Sequence, residues 1–444
     1  MRIWPAFLLG LFVLAAAACT TNPTGRTAFT GLMSPAEEAR VGRETHPRIV
    51  AEFGGEYQDP VLRDYISGLG QRLAALSERP DIQWTFTLLN SDLVNAMALP
   101  GGYVYITTGI LALANNEAEI ASVIGHEVGH VTARHAAERY SQSVLATIAL
   151  GAIGVAGGGD LAGAAEVGAA AYLSGFSRDQ ELEADTLGIR YMARAAYDPP
   201  ASSSMLDNLA LQSRLEDLLM GESRTDRYSV FATHPRTAER VAAAAEEARS
   251  QVVGEARLGE ADFLKRVDGL YYGGDPENGF VRGREFVHPK LRFRFAVPPR
   301  FRLFNGAEQV VAVSPKGARI AFDRERVAAG RSMVGHFADL WARGIRFYDV
   351  EAIRVNGLEA ATGMARVSSR GGPVDLRLVA IRIDAETVCR FLYLSPTEVT
   401  QSLAAEFRRT THSFRLLTPE ESASEQPLKI RLRLVQPGDT VESI

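Results

Sequence analysis

His126-Glu127-Val128-Gly129-His130 places two imidazoles four residues apart with a carboxylate beside the first. On a helix of 3.6 residues per turn the two rings stand one above the other and can reach one metal ion, while Glu127 lies alongside. Downstream, Glu181-Leu182-Glu183-Ala184-Asp185 offers a further carboxylate ligand. Two neutral imidazoles and one carboxylate leave a fourth position of a tetrahedral zinc ion for water, the arrangement of a zinc hydrolase. In such a site Glu127 would take the proton from that water and pass it to the leaving amine. Either Glu181 or Glu183 could be the third ligand; the four-residue spacing of Glu181 and Asp185 favours Glu181, with Asp185 accepting the outer ring N–H of a ligand histidine. His135 lies five residues from His130, about 140° around a helix, and does not share the ligand face.

These groups need helices to hold them. Ile120, Val123 and Ile124 precede the motif at core-facing spacing, so the histidines sit on a buried helix. Glu181 and Asp185 fall on a helix expected over 177–195, with Leu182, Ile189 and Met192 as apolar positions and Arg178 and Arg190 as the nearby positive charge. Further helices are expected over 59–76, 207–219 and 237–248. Trp84 to Leu89 alternates as a strand, and residues 95–106 read as two strands around Pro100-Gly101-Gly102. The glycine-interrupted apolar run 145–171 reads as two short helices around a hinge, able to cover a cleft.

The motifs resemble a known family, the gluzincin peptidases that group the CAAX prenyl endopeptidases, the HtpX membrane proteases and the periplasmic BepA-type proteases. The matching residues are Asn95-Ala-Met-Ala-Leu-Pro-Gly-Gly, Asn116-Glu-Ala-Glu, His126-Glu-Val-Gly-His130, Ser177-Arg-Asp-Gln-Glu181-Leu-Glu-Ala-Asp185 and Thr233-His234-Pro235. The resemblance implies His126, His130 and Glu181 as ligands of one zinc ion per chain, Glu127 as general base and acid, and Asp185 as their support. It also implies that His234 lies near the metal, as oxyanion donor or as occupant of the open coordination position. Paired long apolar spans, found in the integral-membrane relatives, are missing, so the BepA-like branch fits better. By that resemblance the substrates are misfolded or unassembled envelope polypeptides, added as extended segments to the strand near Met97 and Ala98.

The chain has 444 residues, 46% hydrophobic and 23% charged, enough for more than one core. A net charge of -5 argues against nucleic-acid binding. Residues 1–18 read as an export signal ending in Ala16-Ala17-Ala18 before Cys19, which resembles a bacterial lipobox; the resemblance implies a lipid on Cys19 and, with Thr20 following, a periplasm-facing position on the outer membrane. Residues 19–33 read as a tether, 34–250 as the peptidase domain with Ser34-Pro35 as its opening helix cap, 251–279 as a linker, 280–418 as a smaller α+β domain, and 419–444 as a polar tail. The expected fold class is α+β: a mainly helical zincin-type domain with a small sheet, then the second domain. The second domain's expected strands are 291–297, 310–314, 318–322, 374–382 and 388–394, with helices near 333–344 and 397–409. Its His288, His336 and His412 are read as packing or surface residues. Cys389 is a small buried hydrophobe, and the tail from Ile430 looks like the start of a LysM-type glycan-binding repeat.

The leading expectation is a zinc endopeptidase of envelope quality control. The alternative is a latent protease acting as chaperone or scaffold for outer-membrane assembly or bound to the cell wall; an aminopeptidase is a third possibility.

Overall fold

A computed structural model describes residues 19–154, 175–220, 234, 238–251, 253–306, 309–342, 344–369 and 372–440. The export signal and most of the glycine-interrupted run lie outside these residues, as do Thr233 and Pro235.

The chain opens with a hairpin of β1 (Cys19–Thr21) and β2 (Thr27–Phe29). Helix α1 (Pro35–Glu52) starts where Ser34 accepts the Glu37 N–H and Pro35 supplies a preset φ. Asp59 likewise caps α2 (Pro60–Ala75), whose Leu62, Ile66, Leu69 and Leu73 face the core. Strands β3 (Thr85–Leu89), β4 (Ala96–Leu99) and β5 (Tyr103–Thr107) form a sheet of order β3-β5-β4, with β3 parallel and β4 antiparallel to β5. β4 is therefore an edge strand. The Pro100-Gly101-Gly102 turn between β4 and β5 needs glycine: φ is 81° at Gly101, and a Cβ there would sit 2.7 Å from the Ala39 Cα.

After α3 (Thr108–Leu113), α4 (Glu117–Thr132) begins at an Asn116 cap and carries the HEVGH motif. α5 (His135–Gly154), α6 (Arg178–Arg194), α7 (Ala201–Met220) and α8 (Ala238–Ser250) follow. Ile120, Ile124 and Val128 of α4 join Leu187, Tyr191 and Met192 of α6 and the inner faces of α2 and the sheet in one core. Burial of these aliphatic faces, at about 25 cal/mol per Å², holds the helices that carry the ligands.

Two expectations about connecting segments are corrected. Residues 19–33 are not a loose tether: Asn22, Ala28, Thr30 and Met33 are buried, and the hairpin docks through side-chain hydrogen bonds to α5 and α6. Residues 251–279 are not a bare linker either. They form α9 (Glu260–Val267), β6 (Tyr271–Tyr272) and β7 (Gly274–Asp275), and Phe263, Val267 and Leu270 complete the first core.

The remaining chain is built from two antiparallel sheets. β8 (Gly279–Arg282), β9 (Glu285–His288), β10 (Phe293–Ala296) and the later β18 (Arg415–Leu416) give the order β18-β10-β9-β8-β7. β11 (Arg302–Asn305), β12 (Val310–Val313), β13 (Arg319–Arg326), β14 (Tyr348–Val355), β15 (Leu358–Ser369), β16 (Gly372–Arg382) and β17 (Thr387–Pro396) give β11-β12-β13-β17-β16-β15-β14. Their shared core includes Phe293, Phe295, Phe322, Phe391 and the fully buried Cys389. Helix α10 (Met333–Ala342) packs on β15, and α11 (Thr397–Ser413) on β10 and β17. The architecture is α+β, as expected.

α12 (Pro419–Ser424) is followed by β19 (Leu428–Lys429), which pairs with β6, and Ile430 packs against the first core. Of the segment read as the start of a glycan-binding repeat, Ile430 extends this two-stranded ribbon, its N–H donating to the Leu270 O and its O accepting from the Gly269 N–H. Among the described residues no helix is long and apolar enough to cross a membrane.

His288 gives a prediction for stability. Burial, aided by the positive charges of Arg324 and Lys290, lowers its pKa to about 4, and its Nδ1 accepts the Leu291 N–H at 3.4 Å. The unfolded chain binds this proton near pH 6.5 and the folded chain does not, so stability falls as pH drops from about 6.5 to about 4, by up to about 3 kcal/mol. His288→Gln should flatten that slope in urea unfolding between pH 4 and 7; an unchanged slope would show that His288 is not its source.

Candidate metal centre

The ligand-bearing helices meet because they lack side chains where they cross. A Cβ on Gly125 would sit 3.0 Å from the Gly188 O, and one on Gly188 would sit 2.7 Å from the His126 N. This close approach brings α6 directly under the HEVGH turn. The structure then gathers one donor atom each from His126, His130, Glu181 and His234 within 4.8 Å of one another, all buried. His126 Nε2 and His130 Nε2 are 3.0 Å apart; Glu181 Oε2 lies 3.6 Å from the former and Glu181 Oε1 3.4 Å from the latter. His234 Nδ1 is 2.8 Å from Glu181 Oε1, and its Nε2 is 3.5 Å from Glu127 Oε1.

The surrounding groups fix these rings. Asp185 Oδ1 is 2.8 Å from His126 Nδ1. Glu183 points away, to His135 at 3.2 Å. His135, rejected as a ligand, stands behind the site with its Nδ1 2.8 Å from His130 Nδ1. Phe176 stacks on His130 at 3.9 Å between ring centroids.

One correction concerns the positive charge. Arg190 pairs with Glu247 at 3.2 Å and Arg178 with Glu239, so neither serves the acidic cluster. Arg240 of α8 does: its guanidinium reaches Asp185 at 2.7 Å and 2.8 Å, and Glu181 at 2.6 Å. The sequence signal for Arg240 was the need for a cation beside two carboxylates that share one helix face; helical periodicity alone does not select it.

Burial raises the Glu127 carboxyl above its usual range, with the charge of Glu181 adding to the effect. Burial also opposes ionisation of Glu181, but the charge of His234, its hydrogen bond to the carboxylate and the charge of His126 keep that carboxyl well below the usual range. Burial holds His130 neutral, well below the ordinary imidazole value. His234 goes the other way: burial lowers it, and the charges of Glu181 and Glu127 outweigh that and raise it.

The donor set fits a divalent metal ion: imidazole nitrogens and a carboxylate oxygen converge, and each histidine of the HEVGH pair has a partner on its other ring nitrogen. Glu127 Oε2 is buried without a hydrogen-bond partner among the described residues, an oxygen kept for a group outside the protein fold. An apolar cavity of about 60 Å³ opens beside His126 and Glu127, lined by Val123, Ile189, Met205 and Leu206.

Residues 60–248 match Peptidase family M48. The chain carries an M48 metallopeptidase domain. Its relatives include a beta-barrel assembly-enhancing protease of Yersinia pestis, 37% identical over 35% of this chain and 34% of that protein. A beta-barrel assembly-enhancing protease of Escherichia coli (strain K12) is 30% identical over 57% of this chain and 53% of the relative. The mitochondrial metalloendopeptidase OMA1 of Schizosaccharomyces pombe is 29% identical over 46% of this chain and 59% of its own. This chain thus spans between about a third and three fifths of the length of these three relatives. The M48 match takes in every residue of the metal cluster and also Arg240.

Proposed function

We propose that this chain is a zinc-dependent endopeptidase that cuts misfolded or unassembled polypeptides of the bacterial cell envelope. The observation that carries this reading is the buried four-residue donor cluster with the Glu127 carboxylate at its edge. His126, His130 and Glu181 would hold zinc, and Asp185 would orient His126 from 2.8 Å. Zinc, when bound, polarises the scissile carbonyl and lowers the pKa of water to about 7. Glu127 accepts the water proton on its carboxylate and returns it to the departing amine nitrogen, so no net proton is consumed in cutting the bond. Arg240 holds Asp185 and Glu181 in place across the helix interface. The β4 edge offers unpaired backbone groups to an extended substrate, and a small hollow lined by Ala98, Leu99, Pro100, His130 and Phe176 lies between that edge and the ligands. The apolar cavity accepts a hydrophobic side chain of the substrate, which suits unfolded segments over native surfaces.

The names of the bacterial relatives support envelope proteins as substrates and the outer-membrane assembly machinery as a partner. Exposed Cys19, at the first residue of β1, is the proposed lipid attachment that places the enzyme on the periplasmic face of the outer membrane.

A second reading has its own observation. His234 belongs to the same donor group as the ligands, so it could close the fourth zinc position and hold the protease latent. One assay tests both readings. The zinc-loaded full chain should cleave an unfolded protein and blocked-end peptides, lose that activity to a chelator and regain it with zinc. No cleavage of blocked peptides by either the wild-type chain or His234→Ala would exclude an endopeptidase. His234→Ala should lower the rate about 10²-fold if His234 stabilises the oxyanion, and raise it if His234 blocks the metal.

A further inference from the structure

The N-terminal hairpin reaches the metal cluster through a chain of buried hydrogen bonds that the proposed reaction leaves unused. Four donors from different places converge on Glu183. Thr24 Oγ1 donates to Oε1 at 2.5 Å; Asn22 Nδ2 at 3.2 Å and Arg26 Nε at 2.6 Å donate to Oε2. His135 Nε2 stands 3.2 Å from the same Oε2. The remaining nitrogens of Arg26 grip Glu138 at 2.9 Å and 2.8 Å, and Glu138 also accepts from Gln180. The Arg26 guanidinium is thus locked between α5 and α6. Glu183, Glu138 and His135 are all buried.

The direction of each bond follows from the next. A Glu183 oxygen that accepts from Arg26 and Asn22 can only accept from His135, so His135 carries its proton on Nε2 and leaves Nδ1 as a bare lone pair. That lone pair faces His130 Nδ1 at 2.8 Å, so His130 must carry its proton on Nδ1. The His130 Nε2 lone pair is then free toward Glu181 and His126.

We propose that the hairpin Cys19–Phe29 is a working part of the metal centre: Arg26 fixes Glu183, Glu183 sets the tautomer of His135, and His135 presents the His130 Nε2 lone pair to the metal. Arg26, Glu183 and His135 are positioning residues, and this assignment rests on the zinc reading above. Asp185 supports His126 by a single carboxylate contact. His130, by contrast, is supported through a second histidine whose carboxylate is held by the segment next to Cys19, so the mooring of the chain's start and the orientation of a ligand depend on the same side chains.

Zinc affinity of the full chain, measured by competition with a chromophoric chelator, tests the relay together with melting of the metal-free protein. Glu183→Gln and His135→Phe should weaken zinc binding by about 10- to 100-fold. Arg26→Gln, whose side chain is partly exposed and tolerates replacement, should weaken it by roughly 10-fold. Arg40→Gln, which breaks an exposed pair on α1, should leave affinity unchanged. A purely structural hairpin would lower the melting temperature of the metal-free variants and leave their zinc affinity at the wild-type value, and that result overturns the proposal. Nitrogen-15 spectra of the zinc-loaded wild type should show His135 protonated at Nε2 and His130 at Nδ1; the opposite tautomer at His135 also overturns it. A wild-type chain that binds no zinc would instead overturn the metal reading and the relay with it, whereas tight binding by wild type and all three variants removes the relay alone.

Discussion

Glu127→Gln should abolish peptide cleavage while leaving the metal bound. The substitution keeps the shape of the side chain but removes the carboxylate that takes and returns a proton, a loss worth about 10² to 10⁴ in rate. Because Glu127 is absent from the donor group of His126, His130, Glu181 and His234, metal content should match that of the wild type. Its Oε2 is buried without a hydrogen-bond partner among the described residues, so the neutral amide should not lower the melting temperature by more than about 1 kcal/mol equivalent. Turnover of an unfolded substrate and metal analysis of the same sample decide the matter. Cleavage within about tenfold of wild type would remove Glu127 from the reaction, and loss of metal would make it a ligand instead. The inactive variant should also retain its polypeptide substrates long enough for mass spectrometry to identify them.

Gly188→Val should unseat the ligands from a position that touches no metal. The added Cβ would sit 2.7 Å from the His126 N, 2.9 Å from the Gly125 C and 3.1 Å from the His126 Cα. These are backbone atoms and cannot rotate aside, so α4 and α6 must move apart. Overpacking of this kind costs about 3 kcal/mol. The same displacement separates His126 and His130 on one helix from Glu181 and Asp185 on the other, so zinc affinity should fall by about 100-fold or more as stability falls. Gly68→Ala on α2 is the comparison. Its Cβ would meet nothing closer than an Arg72 nitrogen at 4.0 Å, and alanine there should stabilise the helix by up to about 1 kcal/mol. Equal melting of the two variants, with zinc bound in both, would refute the close-packing account.

Part of this centre was legible in the sequence because helices translate spacing into facing. His126 and His130, and likewise Glu181 and Asp185, are four apart, and the structure puts each pair on one face toward the other. His234 and Arg240 have no spacing relation to these motifs; only the tertiary packing of α8 against α6 brings Arg240 to Asp185. The N-terminal segment was misread for a physical reason. Asn22, Pro23, Thr24 and Gly25 are residue types that signal a flexible tether, yet here they make a tight turn, with Gly25 N bonded to Asn22 O at 2.8 Å, and two of their side chains supply donors to Glu183. In the second lobe β14 and β15 went unrecognised because Ala360, Ala361 and Ala365 dilute the alternation that marks a strand. The signal that would have found them was Asn356-Gly357, both at positive φ, the turn pair that favours a two-residue hairpin.

The pairing of β6 with β19 bears on the order in which the molecule is made. β6 leads directly out of α9, which completes the helical lobe, but its partner emerges only after both sheets of the second lobe have been synthesised. A ribosome delivering the chain from its beginning therefore holds a lobe with one ribbon edge unsealed, and Leu270 and Tyr271 wait for Ile430 until the second lobe has been made. Newly made copies would pass through an interval in which the peptidase core is built but not yet latched.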